Sequence, residues 1–121
     1  MMRGATRRRQ GILPITFRLP GQPNLILEFV VDTGFTEFLT LPVAAVASLR
    51  LPYSHDYPAY LADGSIVQMN IHLATILWNG VEREVTVLAT GRRPLVGTML
   101  LDEQELRVRF HEGDLVSVQA L

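Results

Sequence analysis

The chain has 121 residues, a length that fits one domain with its own hydrophobic core. Hydrophobic residues make up 48% of it and charged residues 19%, which excludes a disordered chain. The formal net charge of −1 gives no electrostatic reason to expect nucleic acid or an anionic membrane as a partner, and the lack of cysteine excludes disulfides and a thiol nucleophile.

Arginine supplies every basic residue except histidine, and it is concentrated at the start of the chain. We predict that residues 1–10 form a flexible, solvated arm and that residues 11–121 form a single domain; contact with an anionic surface is the alternative for the arm. No signal peptide is predicted, because prolines and an arginine interrupt the apolar stretch that follows the arm. We therefore expect a cytoplasmic protein without a membrane partner.

Two strands are predicted next. Apolar residues alternate with other residues from Leu13 to Leu19, which indicates a strand with one buried face. After a turn cluster, residues 25–31 are almost continuously apolar, as expected of a strand buried on both faces. This strand runs directly into Asp32-Thr33-Gly34.

The middle of the chain predicts a short strand over residues 38–41 and an alanine-rich helix over 42–50. Residues 53–60 hold all three tyrosines and lead into a turn at 62–65. From 67 to 73 apolar and polar side chains alternate, which predicts an amphipathic strand.

The last third of the chain contains the strongest hairpin signal, Asn79-Gly80, because both residues tolerate the positive φ of a type I′ turn. It joins a strand ending near Trp78 to one over residues 81–89. A short helix from a capping Thr98 to Gln104 and two further strands complete the chain. The sum is an all-β (mainly β) domain of seven to nine short strands and one or two short helices.

The candidate for chemistry is the carboxylate of Asp32. A buried strand that ends in an acid, a hydroxyl and a glycine presents the acid at the edge of the core. Gly34 allows a sharp bend or the close approach of another backbone, and Thr33 offers a short hydroxyl for hydrogen bonding. An ordinary turn acid is the alternative, and the tripeptide alone does not decide between the two.

A second apolar-apolar-glycine segment, Leu95-Val96-Gly97, makes the set more specific. Residues 29–34, 57–70 and 95–97 resemble, in order and spacing, the retropepsin-like aspartic proteases (clan AA), and in particular their prokaryotic single-domain branch. In that family the two glycine segments are threaded against each other, and a hairpin flap lies between them in sequence. The resemblance covers about residues 11–120 and implies the acid-protease fold, a closed β-barrel.

The resemblance implies that Asp32 is the catalytic aspartate, that the Thr33 hydroxyl bonds to the partner subunit's loop, and that Gly34 flanks the substrate. It implies further contacts at the substrate site from the residue after Gly34, from the flap and from the second glycine segment; for Tyr60, packing with a solvated hydroxyl is the alternative. The residues concerned are Phe35, Tyr60, Ala62, Asp63, Gly64, Val96 and Gly97. Phe35 stands where viral members have a small residue, so we expect its ring to narrow the pocket beside Asp32.

Peptide hydrolysis by this chemistry needs two carboxylates, one to take a proton from water and one to protonate the carbonyl oxygen. Two acids a few ångströms apart cannot both ionise readily, so the pair shares one proton. Since the chain has one such aspartate, we expect a homodimer in which Asp32 faces Asp32. The expected substrate is an extended peptide or unfolded protein, and no metal or organic cofactor is needed.

Two other functions remain open at this point. The chain could be a catalytically weak peptide-binding or scaffold homologue, which a pocket narrowed by Phe35 would favour, or a regulatory partner of another small protein. Arg92-Arg93 could recognise an acidic peptide group, although a solvated loop is the simpler interpretation.

Overall fold

The computed structural model describes residues 1–121 and contains ten strands and two helices. The strands are β1 (Met2–Arg7), β2 (Gln10–Arg18), β3 (Leu25–Val31), β4 (Leu39–Leu41), β5 (Tyr53–Tyr60), β6 (Ile66–Trp78), β7 (Val81–Ala89), β8 (Leu95–Val96), β9 (Gln104–Val108) and β10 (Leu115–Ala120). The helices are α1 (Val43–Leu49) and α2 (Thr98–Leu101). The chain is therefore mainly β, as predicted. Neither helix has the length and apolar character needed to span a membrane.

Six strands close into a ring, in the order β2, β3, β8, β4, β7 and β6. The ring closes where the end of β2 pairs with the end of β6, with Phe17 opposite Ile76. The start of β2 pairs with β1 instead, with Ala5 opposite Ile12. The same edge of β2 thus pairs with β1 at its start and with β6 at its end. Strands β1, β10 and β9 extend the sheet away from the ring.

The core fills the inside of this ring. The predicted alternation in β2 is confirmed, because Leu13, Ile15 and Phe17 are fully buried. The Phe17 ring stacks on that of Phe29 in β3, with ring centroids 5.9 Å apart. Burying one such side chain fully stabilises the fold by about 1.5–3 kcal/mol, so these four residues hold β2 and β3 together.

The prediction that residues 25–31 are buried on both faces was wrong. Phe29 is the one fully buried residue of β3, and Ile26 is 63% exposed. The cause is the length of β8, which pairs only with Val30 and Val31. The first half of β3 therefore has β2 on one side and an open edge on the other.

The predicted flexible arm is instead strand β1, which lies between β2 and β10. Thr6 is buried, and its hydroxyl donates to the Arg109 carbonyl oxygen at 2.6 Å. The backbone at Gly4 packs so closely that a Cβ there would lie 1.8 Å from the Ile12 carbonyl oxygen. The arginines of this segment led to its prediction as a solvated arm. In the structure its small residues pack inward as part of a strand, while Arg3 and Arg7 remain exposed.

A hairpin formed by β5 and the first half of β6 projects from the ring. The residue pattern alone did not predict β5, although the family resemblance implied a hairpin here; β5 pairs with β6 from Tyr53 opposite His72 to Tyr60 opposite Ile66. The amphipathic pattern expected for residues 67–73 holds only at Ile71, which is the sole buried residue there. The earlier part of β6 pairs with β5 alone, so no core lies beneath it.

Local turn and helix signals were mostly right. Asn79 and Gly80 adopt φ values of 51° and 78° in the predicted hairpin, and α1 lies within the predicted 42–50. α2 is shorter than predicted: Gly97 rather than Thr98 is its N-cap, and the helix ends before Gln104, where β9 begins.

Candidate active site

Asp32 follows directly after the last residue of β3, and the neighbouring strand holds it there. β3 and β8 run parallel, with Val31 opposite Val96. The Val30 N–H donates to the Pro94 carbonyl oxygen at 2.9 Å, and the Asp32 N–H donates to the Val96 carbonyl oxygen at 3.0 Å. The backbone that carries the carboxylate is therefore attached to the central sheet up to the residue itself.

The Asp32-Thr33-Gly34 loop then turns back on itself. The Phe35 N–H donates to the Asp32 carbonyl oxygen at 3.1 Å, and the Gly34 N–H donates to Oδ1 of the Asp32 carboxylate at 2.9 Å. Asp32 is half-buried, whereas Thr33 and Gly34 are exposed. The loop thus orients a carboxylate at the boundary between the core and solvent, where water can reach it.

The second glycine segment braces this loop from behind. The Gly97 N–H donates to the Phe38 carbonyl oxygen at 2.9 Å, and the Thr98 N–H donates to the Phe35 carbonyl oxygen at 2.8 Å. A Cβ on Gly97 would lie 2.2 Å from the Glu37 carbonyl oxygen, closer than real Cβ contacts allow. The two backbones can approach this closely only because residue 97 is glycine.

Neither Phe35 nor Val96 lines the cavity beside Asp32 within the single chain. The Phe35 ring lies over Gly97, with its Cδ2 atom 2.6 Å from the site of the missing Cβ, and does not line the cavity beside Asp32. The expected narrowing of that cavity by Phe35 is therefore not found within the chain. Val96 is fully buried in the core, so its part at the site is the carbonyl oxygen that accepts from Asp32.

A cavity of about 800 Å³ opens beside Asp32 and Thr33. Its apolar wall comes from β3, β8, β9 and the residues after β9. Its polar wall comes from the β1–β2 turn and from the loop between β7 and β8. The polar side chains of that second wall are Arg9, Gln10, Arg92 and Arg93.

Sequence reasoning singled out Arg92 and Arg93 but not the rest of this wall. Arg9 and Gln10 lie at the end of the segment predicted as an arm, and Gln10 and Arg93 are 83 positions apart in the chain. Even so, Arg93 Nη2 donates to Gln10 Oε1. No local signal in the sequence relates residues so far apart, because pairing of β1 with both β2 and β10 is what places the turn here.

The hairpin expected to act as a flap is present, with its tip at residues 61–65. The Leu61 N–H donates to the Ser65 carbonyl oxygen at 2.9 Å, and Gly64 has a φ of 85°, which favours glycine. Ala62, Asp63 and Gly64 are exposed, and Tyr60 is 75% exposed. None of these tip residues lines the cavity beside Asp32 within the single chain.

The Asp63 carboxylate is used within the tip itself. Its Oδ1 accepts hydrogen bonds from the Ser65 hydroxyl at 2.6 Å and from the Ser65 N–H at 2.9 Å. These bonds favour the ionised acid and lower the pKa of Asp63, the hydroxyl contributing most. A lowered pKa means that this small contribution to stability is present above the ordinary pKa and is lost as pH falls through the lowered value.

Replacing Ser65 by alanine is therefore expected to raise the pKa of Asp63 toward its ordinary value, because the stronger of the two donors is removed. An NMR titration of the Asp63 side-chain carboxyl carbon measures the shift directly. Ser54→Ala, an exposed serine in the neighbouring strand, is the matched control and should leave the pKa of Asp63 unchanged. An unaltered titration in the Ser65 variant would contradict this account of the tip.

No group of three or more histidine, aspartate or glutamate side chains comes together in a way that could hold a metal ion. In comparisons with known proteins, no family model matches the chain and no curated protein is significantly similar to it.

Proposed function

We propose that the chain is one subunit of a homodimeric aspartic endopeptidase of the retropepsin-like type, with Asp32 as its catalytic residue. The observation that carries the proposal is the pairing of the two glycine segments. The loop that bears the Asp32 carboxylate is hydrogen-bonded, on its inner side, to the segment that contains Gly97. On its outer side lies an open cavity of about 800 Å³, large enough for substrate side chains.

The dimer follows from the chemistry. General acid–base hydrolysis of an amide needs one group to accept a proton from the attacking water and another to donate one to the carbonyl oxygen. The loop supplies one carboxylate, and two copies related by a two-fold axis supply both. Thr33, which is exposed beside Asp32, is available to bond across that axis and brace the partner's loop.

The reaction then proceeds without a covalent enzyme intermediate. The ionised Asp32 of one subunit removes a proton from water, the water oxygen attacks the scissile carbonyl carbon, and the protonated Asp32 of the other subunit gives its proton to the carbonyl oxygen. The C–N bond of the tetrahedral intermediate then breaks: the carboxyl that took the proton from water gives it to the leaving nitrogen, and the ionised carboxylate takes a proton back from a hydroxyl of the intermediate. These two transfers restore the starting state, in which the two carboxyl groups hold one proton between them.

The β5–β6 hairpin is proposed to cover an extended peptide bound along the pair of subunits. Such a peptide would present its backbone in a strand-like form, and closure would orient the scissile bond. The scaffold alternative rested on a pocket narrowed by Phe35. Within the single chain Phe35 lies over Gly97 and does not line the cavity, so the cavity itself gives no such reason to prefer the scaffold.

The proposal is tested by incubating the purified protein with a denatured protein mixture between about pH 4 and pH 7. We expect cleavage that a statine-type transition-state mimic blocks. Specific activity should fall on dilution in parallel with the dimer fraction measured by analytical ultracentrifugation. Cleavage by a monomer, or activity independent of concentration while the dimer dissociates, would exclude a site shared between two chains.

A further inference from the structure

Part of the lining of the cavity beside Asp32 carries positive charges that form no ion pair within the chain. Three arginines line the cavity, Arg9, Arg92 and Arg93, and Asp32 is the single acidic residue among the lining residues. All three arginines are exposed, and none of them forms an ion pair within the chain. A chain with a net charge of −1 thus concentrates positive charge next to its one candidate catalytic acid.

Two acidic residues that line a neighbouring cavity together with Arg93 have partners of their own. Glu28 forms an ion pair with Arg7, and Glu112 accepts a hydrogen bond from the Arg8 backbone N–H at 2.8 Å. Arg93 is oriented by its hydrogen bond to Gln10, a neutral acceptor that leaves its charge unbalanced. The three guanidinium groups therefore have donors free for a ligand.

Another part of the cavity lining is apolar. It is formed by Leu106 and Val108 of β9 and by Phe110, whose side chain is 75% exposed. A ligand that fits both parts of the lining carries an anionic group and an apolar group. Guanidinium groups bind carboxylates through two parallel hydrogen bonds. This bidentate geometry fixes the orientation of the ligand in addition to the attraction between the charges.

We propose that this cavity binds a carboxylate of the substrate close to the scissile bond, next to an apolar substrate side chain that packs on Leu106, Val108 and Phe110. The inference rests on the proposed peptidase function and names its substrate class, a peptide with an acidic group near the cleavage point. The carboxylate can belong to an aspartate or glutamate side chain or to the peptide's C-terminus. Arg9, Arg92 and Arg93 are the residues that set this specificity.

The test compares matched short peptides that differ in one group. The first has glutamate beside an apolar residue near the cleaved bond and an amidated C-terminus. The second has glutamine in place of the glutamate, and the third is the glutamine peptide with a free C-terminal carboxylate. At about pH 6, where glutamate is ionised, we expect kcat/KM of the unsubstituted protein to be about tenfold higher for one of the carboxylate peptides than for the neutral one.

The double variant Arg92→Gln/Arg93→Gln should reduce this preference to about one- to threefold, since two of three guanidinium groups are removed. Arg3→Gln/Arg107→Gln makes the same change in net charge on exposed residues outside the cavity and should keep the preference. Added salt should weaken the preference of the unsubstituted protein, because these charges face solvent. Equal cleavage of all three peptides, or a preference that survives in the cavity variant, would overturn the inference.

Binding separates this inference from the proposed function. Calorimetry on the Asp32→Asn variant measures peptide affinity without turnover, and we expect tighter binding of the carboxylate peptide by about tenfold. If no peptide is cleaved but this difference in binding persists, the peptidase proposal fails and carboxylate recognition stands. If the cavity variant fails to dimerise, the arginines belong to the subunit interface and the inference is wrong.

Discussion

Replacing Asp32 by asparagine is expected to abolish peptide hydrolysis while leaving the fold intact. An asparagine side chain has the same size, and its Oδ1 can still accept the Gly34 N–H that the carboxylate accepts at 2.9 Å. The amide cannot, however, accept a proton from the attacking water or donate one to the carbonyl oxygen of the substrate. Positioned acid–base groups contribute about 10²–10⁴ in rate, so activity should fall by at least that range.

The assay compares the Asp32→Asn and Asp102→Asn variants on the same denatured protein mixture. Asp102 is exposed at the end of α2, outside the cavity, so this matched change should leave activity near that of the unsubstituted protein. Excess Asp32→Asn chain added to the unsubstituted protein should also inhibit it, because mixed dimers contain one carboxylate. Equal cleavage by the Asp32 variant and the unsubstituted protein would reveal a contaminating protease and would remove Asp32 from its role.

Replacing Gly97 by alanine is expected to cause the largest loss of stability among conservative substitutions near the site. The new methyl group would lie 2.2 Å from the Glu37 carbonyl oxygen and 2.6 Å from the Phe35 carbonyl oxygen. Both are backbone atoms of the loop that follows Asp32, so the clash can be relieved only by moving that loop. Overpacking of a buried site costs about 3 kcal/mol, which for a chain of this size lowers the melting temperature by about 10 °C.

Thermal unfolding followed by circular dichroism measures this change, and peptidase activity well below the melting temperature should fall as well. The control is Gly21→Ala, in a turn where a Cβ would meet no atom within 4 Å and only the left-handed φ of 69° opposes the change. That variant should lose about 1 kcal/mol and keep its activity. A Gly97 variant as stable as the Gly21 variant would contradict the close packing of the two glycine segments.

Short-range patterns predicted the elements that depend on local chemistry. The alternation in β2 follows from a single buried face, and the Asn79-Gly80 turn follows from two residues that tolerate positive φ. The end of β3 at Val31, with an acid immediately after it, was likewise visible in the chain. These features need only a few neighbouring residues for their explanation.

Elements that depend on distant partners were missed or misread. The sequence of residues 2–7 is typical of a charged arm. The segment forms strand β1 because it pairs with β2 on one side and with β10 on the other. Residues 53–60 lack an alternating pattern, since the hairpin that they form with β6 has no core beneath it. The apolar run of β3 predicts burial on both faces, but the two-residue β8 leaves its first half at an open edge.

The same division applies to the candidate site. The sequence alone indicated the carboxylate of Asp32, the glycines on either side of the proposed contact and the order in which they occur. Short motifs can do this because they encode backbone freedom and functional groups within a few residues. Tertiary structure decided that Phe35 lies over Gly97 and that Arg9 joins Arg92 and Arg93 around one cavity. Closing the ring and adding β1 to the sheet bring together residues that are far apart in the chain, and no local pattern specifies such a juxtaposition.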